Sequence, residues 1–519
     1  MNKEFSLMPT LKESLNYEPV ELNFGTSGLR GLVTDMTDLE CYINTAGFLS
    51  FVKGGGSVAN VLVAGDLRFS TPRIIGAVIQ AIKDAGLNPI FCGFIPTPAL
   101  AYAALQQQSP CIMVTGSHIP DDRNGIKFYT STGEVLKSDE ASIKEQVASF
   151  RQSIYGSDAQ NALFGADGML LQAAALPNED SNAAGIYLER YQNVFTEEPL
   201  RGKKVVMYQH SAVGRDMIPQ ILTSLGAEVV PVGRSEKFIP IDTENVTPDD
   251  NVYFKQLAQE NPGLFAIIST DGDSDRPFVV DENGTFHRGD ELGAVVADWL
   301  KAEFAAVPIS SNDAVLEHLD TQAVPYESTK IGSPYVIEAM QKAKERDIQR
   351  VVGWEVNGGF LLGDDLEING RVLKALPTRD AVLPIIVALL AAVDSQTKVS
   401  DVFARLPQRF TSAGLIDNFP IETAKKIVGT FSEDSSSVRD EIQNFFSSEL
   451  GFGKVEKINS LDGVRIYFDN GDIAHIRPSG NAPQLRIYSV ANSQERADEI
   501  VRMAVSEPDG IYRGIEKTM

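Results

Sequence analysis

Cysteine is scarce in this chain and scattered where it occurs. Cys41, Cys92 and Cys111 are the only three, none in CxxC spacing, so no disulfide framework is implied. No run of lysine and arginine interrupts the acidic balance. The net charge of −24 repels polyphosphate backbones and argues against a nucleic-acid partner. Long apolar stretches are missing too. The longest, AVLPIIVALLAAV at 381–393, is too short to span a bilayer and reads as a buried helix. The N-terminal MNKEFSLMPTLKESL lacks the apolar core of a secretory signal. A G-x-S-x-G elbow, which would suggest a serine hydrolase, is absent as well. The expectation is a soluble, cytoplasmic protein with no membrane partner.

What is present points to packed domains. Hydrophobic residues make up 43% of 519, more chain than one core usually serves, so three or four domains are expected. A weak repeat runs through the first four hundred residues. VLVAGD (61–66) precedes a helical pattern at 74–86 and the strand NPIFCG. KVVMYQ (204–209) precedes a helical pattern at 217–226 and the strand AEVVPVG. AVPYEST (323–329) precedes a helical pattern at 335–346 and the strand RVVGWE. This alternation predicts α/β units with largely parallel strands. Gly86 and Gly226 stand where a helix C-cap needs glycine. Residues 156–182 show no periodicity and read as a linker or loose edge. From about 410 the pattern changes to a small α+β domain, with Asn470-Gly471 predicting a type I′ hairpin turn.

Each unit ends an apolar strand in a polar loop: VTGSHIP (114–120), STDGDSDRP (269–277) and GWEVNGGF (353–360). Strand ends of open α/β sheets are where ligands bind, so three such loops are candidates to converge on one cleft. In the second loop Asp271, Asp273 and Asp275 alternate, a density of carboxylates that repels unless a cation sits among them; hard oxygen ligands suit Mg²⁺ or Ca²⁺. Glu282 falls at the twelfth position of an EF-hand, but Arg276 takes the sixth, where that loop requires glycine, and the flanks read as strands. The EF-hand is rejected. Ser117 beside His118 is a weak signal alone. A phosphoserine there would carry close to two negative charges and complete a metal shell begun by three aspartates. FGTSGLRG (24–31) offers Arg30. RPSGNAPQLR (477–486) offers Arg477, Ser479, Gly480, Asn481 and Arg486 in a turn suited to cradle a phosphate. Glu355 and Asn357 suit vicinal hydroxyls. Singly, each is equally an ordinary polar turn; the conjunction carries the argument.

FGTSGLRG, TGSHIP with NGIK, DGDSDR, WEVNGG and RPSGNAP fall in the order and spacing of the α-D-phosphohexomutase superfamily, and most resemble its bacterial phosphomannomutase/phosphoglucomutase type. The resemblance covers essentially the whole chain, with the serine and aspartate loops together its most specific part. It implies three repeated α/β domains with mixed sheets plus a C-terminal α+β lid domain around a central cleft, here placed at 1–165, 180–300, 301–408 and 409–519. It implies an isomerase that interconverts hexose 1-phosphate and hexose 6-phosphate, of mannose or glucose, through a phosphoserine and a hexose 1,6-bisphosphate. Ser117 would carry the phosphoryl group, and phospho-Ser117, Asp271, Asp273 and Asp275 would bind Mg²⁺. Arg30, His118, Lys127 and Arg276 would surround the transfer. Lys127 is the candidate general base or acid, its pKa lowered by the nearby arginines. Glu355, Asn357, Gly332 and Ser333 would meet the sugar, and Arg477, Ser479, Gly480, Asn481 and Arg486 the non-reacting phosphate. The chain departs from the family pattern at Ile119, Asn357, Ala482 and Ser333, positions that bear on the substrate. A phosphoglucosamine mutase and a non-catalytic sugar-phosphate binder stay open, as does the choice between monomer and dimer.

Overall fold

A computed structural model describes residues 9–25, 28–172, 174–244, 246–479 and 483–519. Three mixed sheets share one plan. In the first, Asn60–Gly65 lies parallel to Asn88–Phe91 on one side and to Cys111–Val114 on the other, and Arg123–Thr130 returns antiparallel. In the second, Lys204–Tyr208 lies between Glu228–Val232 and Leu264–Thr270, and Pro277–Asp281 returns antiparallel. In the third, Phe304–Pro308 lies between Tyr326–Thr329 and Val351–Trp354, with Phe360–Leu362 antiparallel. Each antiparallel return is a hairpin, and the three polar loops are its three tips.

That plan corrects the phase of the third repeat. The strand equivalent to VLVAGD and KVVMYQ is Phe304–Pro308, followed by the helix Asp313–Thr321; AVPYEST is the edge strand that comes next. A five-residue strand beside Ser310-Ser311 carries too little periodicity to announce itself. Helix Gly289–Leu300 packs on the apolar helix Val382–Asp394, and Trp354 donates its indole N–H to the Asp290 carbonyl at 3.0 Å. On packing it therefore goes with the third sheet, and we place that boundary near residue 288.

Val382–Asp394 is a buried helix, and no described helix is long and apolar enough to cross a membrane. Gly86 and Gly226 follow their helices at φ of 73° and 91°, backbone that suits glycine. Among the described residues of 162–181 none lies in a helix or strand, although Phe164 is buried against the core of the first unit. Cys41, Cys92 and Cys111 are free and buried.

Apolar packing sets the C-terminal unit apart from the rest. One continuous cluster runs from Leu62 to Leu406 and joins the first three sheets. A separate cluster, Ile416 to Ile515, belongs wholly to the C-terminal unit, a five-stranded antiparallel sheet in the order Phe410–Asp417, Gln484–Ala491, Ile473–Pro478, Val464–Phe468, Val455–Asn459. Polar contacts tie this unit to the third sheet: the buried Arg465 donates to the carbonyls of Ile309 and Ser311, and Arg409 pairs with Asp313. The Asn470-Gly471 hairpin is present, but only Gly471 has positive φ, at 86°. Its amide donates to Phe468 O, and the Phe468 amide donates to Asp472 O. This is a longer turn with glycine at its left-handed position, not the type I′ turn expected, which needs both central residues left-handed.

Candidate active site

The three hairpin tips meet. Ser117 stands just past Cys111–Val114, fully buried, with its backbone at φ +55°. Its amide donates to Thr115 Oγ1 at 2.8 Å, and its Oγ donates to Asp271 Oδ2 at 2.6 Å. The other Asp271 oxygen accepts the amides of Asp275 and Arg276, both at 3.2 Å. Asp271, Asp273 and Asp275 are fully buried, and each offers one oxygen within 4.8 Å of the others. The loops approach at glycine: a Cβ on Gly272 would lie 2.5 Å from the Ser117 carbonyl oxygen. From the first unit, Thr97 donates its hydroxyl to Asp273 Oδ2 at 2.5 Å and its amide to the Asp273 carbonyl at 3.0 Å.

The electrostatics ask for a cation. Burial, then the charges of Asp273 and Asp275, push the Asp271 carboxyl well above its ordinary range. Asp273 is held low against burial, chiefly by Lys127. Asp273 Oδ1 and Asp275 Oδ1 are buried without a hydrogen-bond partner, costly unless an ion takes them. Two open carboxylate oxygens beside a third carboxylate and a serine hydroxyl fit a hard divalent cation. Lys127 Nζ, opposite Met113 in register, lies 2.6 Å from both Asp273 and Asp275. Two carboxylates of the same loop that Arg276 closes therefore grip the Lys127 side chain.

Guanidinium groups close the ring. Arg276 donates to His118 Nδ1 at 2.8 Å, and that nitrogen lies 3.3 Å from Ser117 Oγ. A guanidinium only donates, so Nδ1 carries the lone pair. Burial, then Arg276 and Arg30, hold His118 well below its ordinary pKa, and it is neutral. Burial, then Arg276 and Arg379, pull Arg30 down to about 10. Arg379, on the strand Leu376–Asp380, donates Nε to Asp275 and Nη1 to Glu355, both at 3.1 Å. The pull of Asp275, Glu134 and Glu355 outweighs burial and raises Arg379 well above its ordinary value. The Asn357 Oδ1 accepts the Gly359 amide at 3.0 Å, which folds that carbonyl into its own turn.

Ser333 stands where the first and third units meet. It begins the helix Ser333–Lys344 behind Gly332, both buried, and its hydroxyl donates to Glu134 at 2.6 Å. Glu134 also accepts from Thr378 at 2.5 Å, so Ser333 joins the first unit to the third. In the C-terminal unit, Arg477 and Arg486 sit directly opposite each other on paired strands. Like charges so placed repel, and an anion between them would relieve it. Arg477 donates Nε to Asp462 at 3.2 Å, and the other Asp462 oxygen accepts the Ile331 amide at 3.0 Å. The Ser479 amide donates to Gln484 O at 2.9 Å. Gly480 and Asn481 lie outside the described residues.

Models of all four domains of phosphoglucomutase/phosphomannomutase match in order: the α/β/α domains I, II and III at residues 21–153, 186–284 and 288–410, and the C-terminal domain at 423–507. The chain belongs to this family. It is similar to a phosphomannomutase of Salmonella muenchen, 40% identical over 487 residues, 93% of this chain and 95% of that one. A phosphoglucomutase/phosphomannomutase family protein of Burkholderia thailandensis has the same fold, with a TM-score of 0.70 at 17% identity over 95% and 97% of the chains. So has an N-acetylphosphoglucosamine mutase of Aspergillus fumigatus solved with GlcNAc-6P and magnesium, at 0.56 and 12% over 98% and 97%.

Within this phosphohexomutase frame, sequence reasoning missed Arg379, Thr97 and Glu134. Arg379 sits in LPTRD, a strand without the glycines that mark the other loops. Thr97 follows Pro96 and precedes Pro98, a helix start with no distinctive chemistry of its own.

Proposed function

We propose that this chain moves a phosphoryl group between the 1- and 6-hydroxyls of a hexose monophosphate, mannose or glucose, through phospho-Ser117 and a hexose 1,6-bisphosphate. The observation that carries the reading is Ser117 Oγ, on left-handed backbone, 2.6 Å from one of three buried aspartates whose neighbours keep two oxygens unpartnered. Asp271, Asp273, Asp275 and phospho-Ser117 would hold Mg²⁺, which when bound offsets charge on the transferring group.

The chain's own residues do the rest. In the first half-reaction the Ser117 Oγ–P bond breaks as the sugar oxygen–P bond forms, and the sugar's hydroxyl proton ends on Ser117 Oγ. The bisphosphate turns around, and the second half-reaction runs the same exchange backwards with the other phosphate. Arg30, Arg276 and Lys127 present fixed positive charge to the moving oxygens, which a loose, in-line transfer mainly needs. The neutral His118 accepts an Arg276 N–H with its Nδ1 lone pair and so orients that guanidinium. Glu355, aimed by Arg379, and Asn357 would take the sugar hydroxyls. Arg477, Arg486, Ser479, Gly480 and Asn481 would hold the distal phosphate.

A coupled assay with mannose 1-phosphate, glucose 1-phosphate and glucosamine 1-phosphate tests this. Turnover of the first or second is expected. Preference for glucosamine 1-phosphate would make the chain a phosphoglucosamine mutase, and binding without turnover of any would make it a sugar-phosphate binder.

A further inference from the structure

Arg68 has no role in the reading above, yet it is a fully buried charge beside the serine loop. Its Nε pairs with Asp66 Oδ2 at 3.2 Å. Nη1 donates to the carbonyls of Pro120 at 2.8 Å and Arg123 at 3.0 Å. Nη2 donates to those of Ser117 at 3.0 Å and Ile119 at 2.5 Å. All five guanidinium N–H groups are thus used, four of them on one loop. Asp66 extends the grip, accepting from the Thr115 hydroxyl at 2.7 Å and the Gly116 amide at 3.3 Å. Gly116 leaves room for it, since a Cβ there would lie 2.7 Å from the guanidinium carbon. The Phe238 ring lies 3.8 Å over Arg68, and it also packs against the site of a Cβ on Gly272 in the aspartate loop.

These contacts surround a residue in unfavourable backbone. Ser117 at φ +55° costs free energy unless its surroundings impose that conformation. We propose that Arg68 is a positioning residue for phosphoryl transfer: by gathering the carbonyls of residues 117–123 it holds Ser117 in the turn that aims Oγ at Asp271, and Phe238 keys that turn to the aspartate loop. The inference rests on reading Ser117 as the phosphoryl carrier. A lysine keeps the charge for Asp66 but has no planar fork to span four carbonyls.

The test is steady-state kinetics per folded molecule for the full chain carrying Arg68→Lys, with Phe238→Leu as the milder variant. Arg68→Lys should lower kcat by about 10²-fold, the scale of a misplacement near 1 Å, while KM and the Mg²⁺-dependent rise in Tm stay near wild type. Phe238→Leu should lower kcat less, again with KM unchanged. Should Arg68→Lys not fold, Phe238→Leu decides alone. Unchanged kcat per folded molecule in the variant that folds, or a loss appearing mainly in KM, overturns the proposal while an active wild type leaves the mutase reading standing. A wild type that carries no phosphate on Ser117 overturns the reading, and the proposal with it.

Discussion

At the residue scale, the account depends on charges that burial makes consequential. Three aspartates close together repel, and the unpartnered oxygens of Asp273 and Asp275 leave the loop short of a cation. Adding Mg²⁺ should raise Tm, by about 2.7 kcal/mol of stability at a hundredfold excess over Kd. Asp273→Asn should largely remove that rise, as differential scanning fluorimetry would record; an equal rise in the variant would place the ion elsewhere. The buried histidines make a second prediction. Burial and then Arg465 hold His475 down to about 3, against an ordinary 6.5. Below pH 6.5 the unfolded chain takes up a proton that the folded chain refuses until about pH 3, so stability falls as the pH drops through that window. The loss is about 2 kcal/mol at pH 5. His475→Gln, which keeps a donor for the Asp462 carbonyl, should shrink the difference in Tm between pH 7 and pH 5. An unchanged difference would mean that His475 does not remain neutral. Ser117 and the aspartates were legible in the sequence because each sits in a loop of unusual composition, and Lys127 because NGIK follows the serine loop closely, on the returning strand. Arg379 and Glu134 were not, because a lone charged residue in a strand carries no pattern and gains meaning only from what the fold sets beside it.

At the element scale, one device is used three times: a buried central strand, a tip, and an antiparallel return. The apolar runs CIMV and FAIIS announced the strands, so the tips could be found. The phase of the third unit could not, since FAAVP looks like any short apolar run until its two parallel neighbours are known. The Asn-Gly pair likewise announced a hairpin but not its loop length, which the register of Tyr467 with Ile473 decides. The Ser333 partner was not legible either: Glu134, brought there by the first sheet's short strand Gly133–Glu134, accepts its hydroxyl. The tips also fix each other's distance. Gly272→Ala would press a methyl against the Ser117 carbonyl at 2.5 Å and separate the two loops. An activity loss of about 10²-fold, with secondary structure by circular dichroism intact, is the expected result. Wild-type activity would mean that this close approach is not needed for transfer.

At the scale of the whole molecule, the core divides after residue 406, and the C-terminal unit meets the rest through polar contacts. That arrangement suits a lid, since polar contacts exchange with water at little cost while an apolar core does not. Asp462 holds both Arg477 and the Ile331 amide, so a phosphate reaching Arg477 would meet the lid where it joins the third unit. Arg477→Ala should cost about 2–5 kcal/mol in kcat/KM while phospho-Ser117 still forms. With a sugar lacking the distal phosphate the mutation should cost little more, so the two losses should be strongly non-additive; simple addition would remove Arg477 from the phosphate site. The central claim is that Ser117 carries the group that moves. Its most direct test is intact-mass and peptide mass spectrometry of the purified protein before and after brief exposure to hexose monophosphate. The account predicts a fraction heavier by one phosphoryl group, mapped to Ser117, absent from Ser117→Ala, and discharged into hexose bisphosphate when substrate is added. Phosphate found only at other residues, or phospho-Ser117 that substrate leaves untouched, would contradict it.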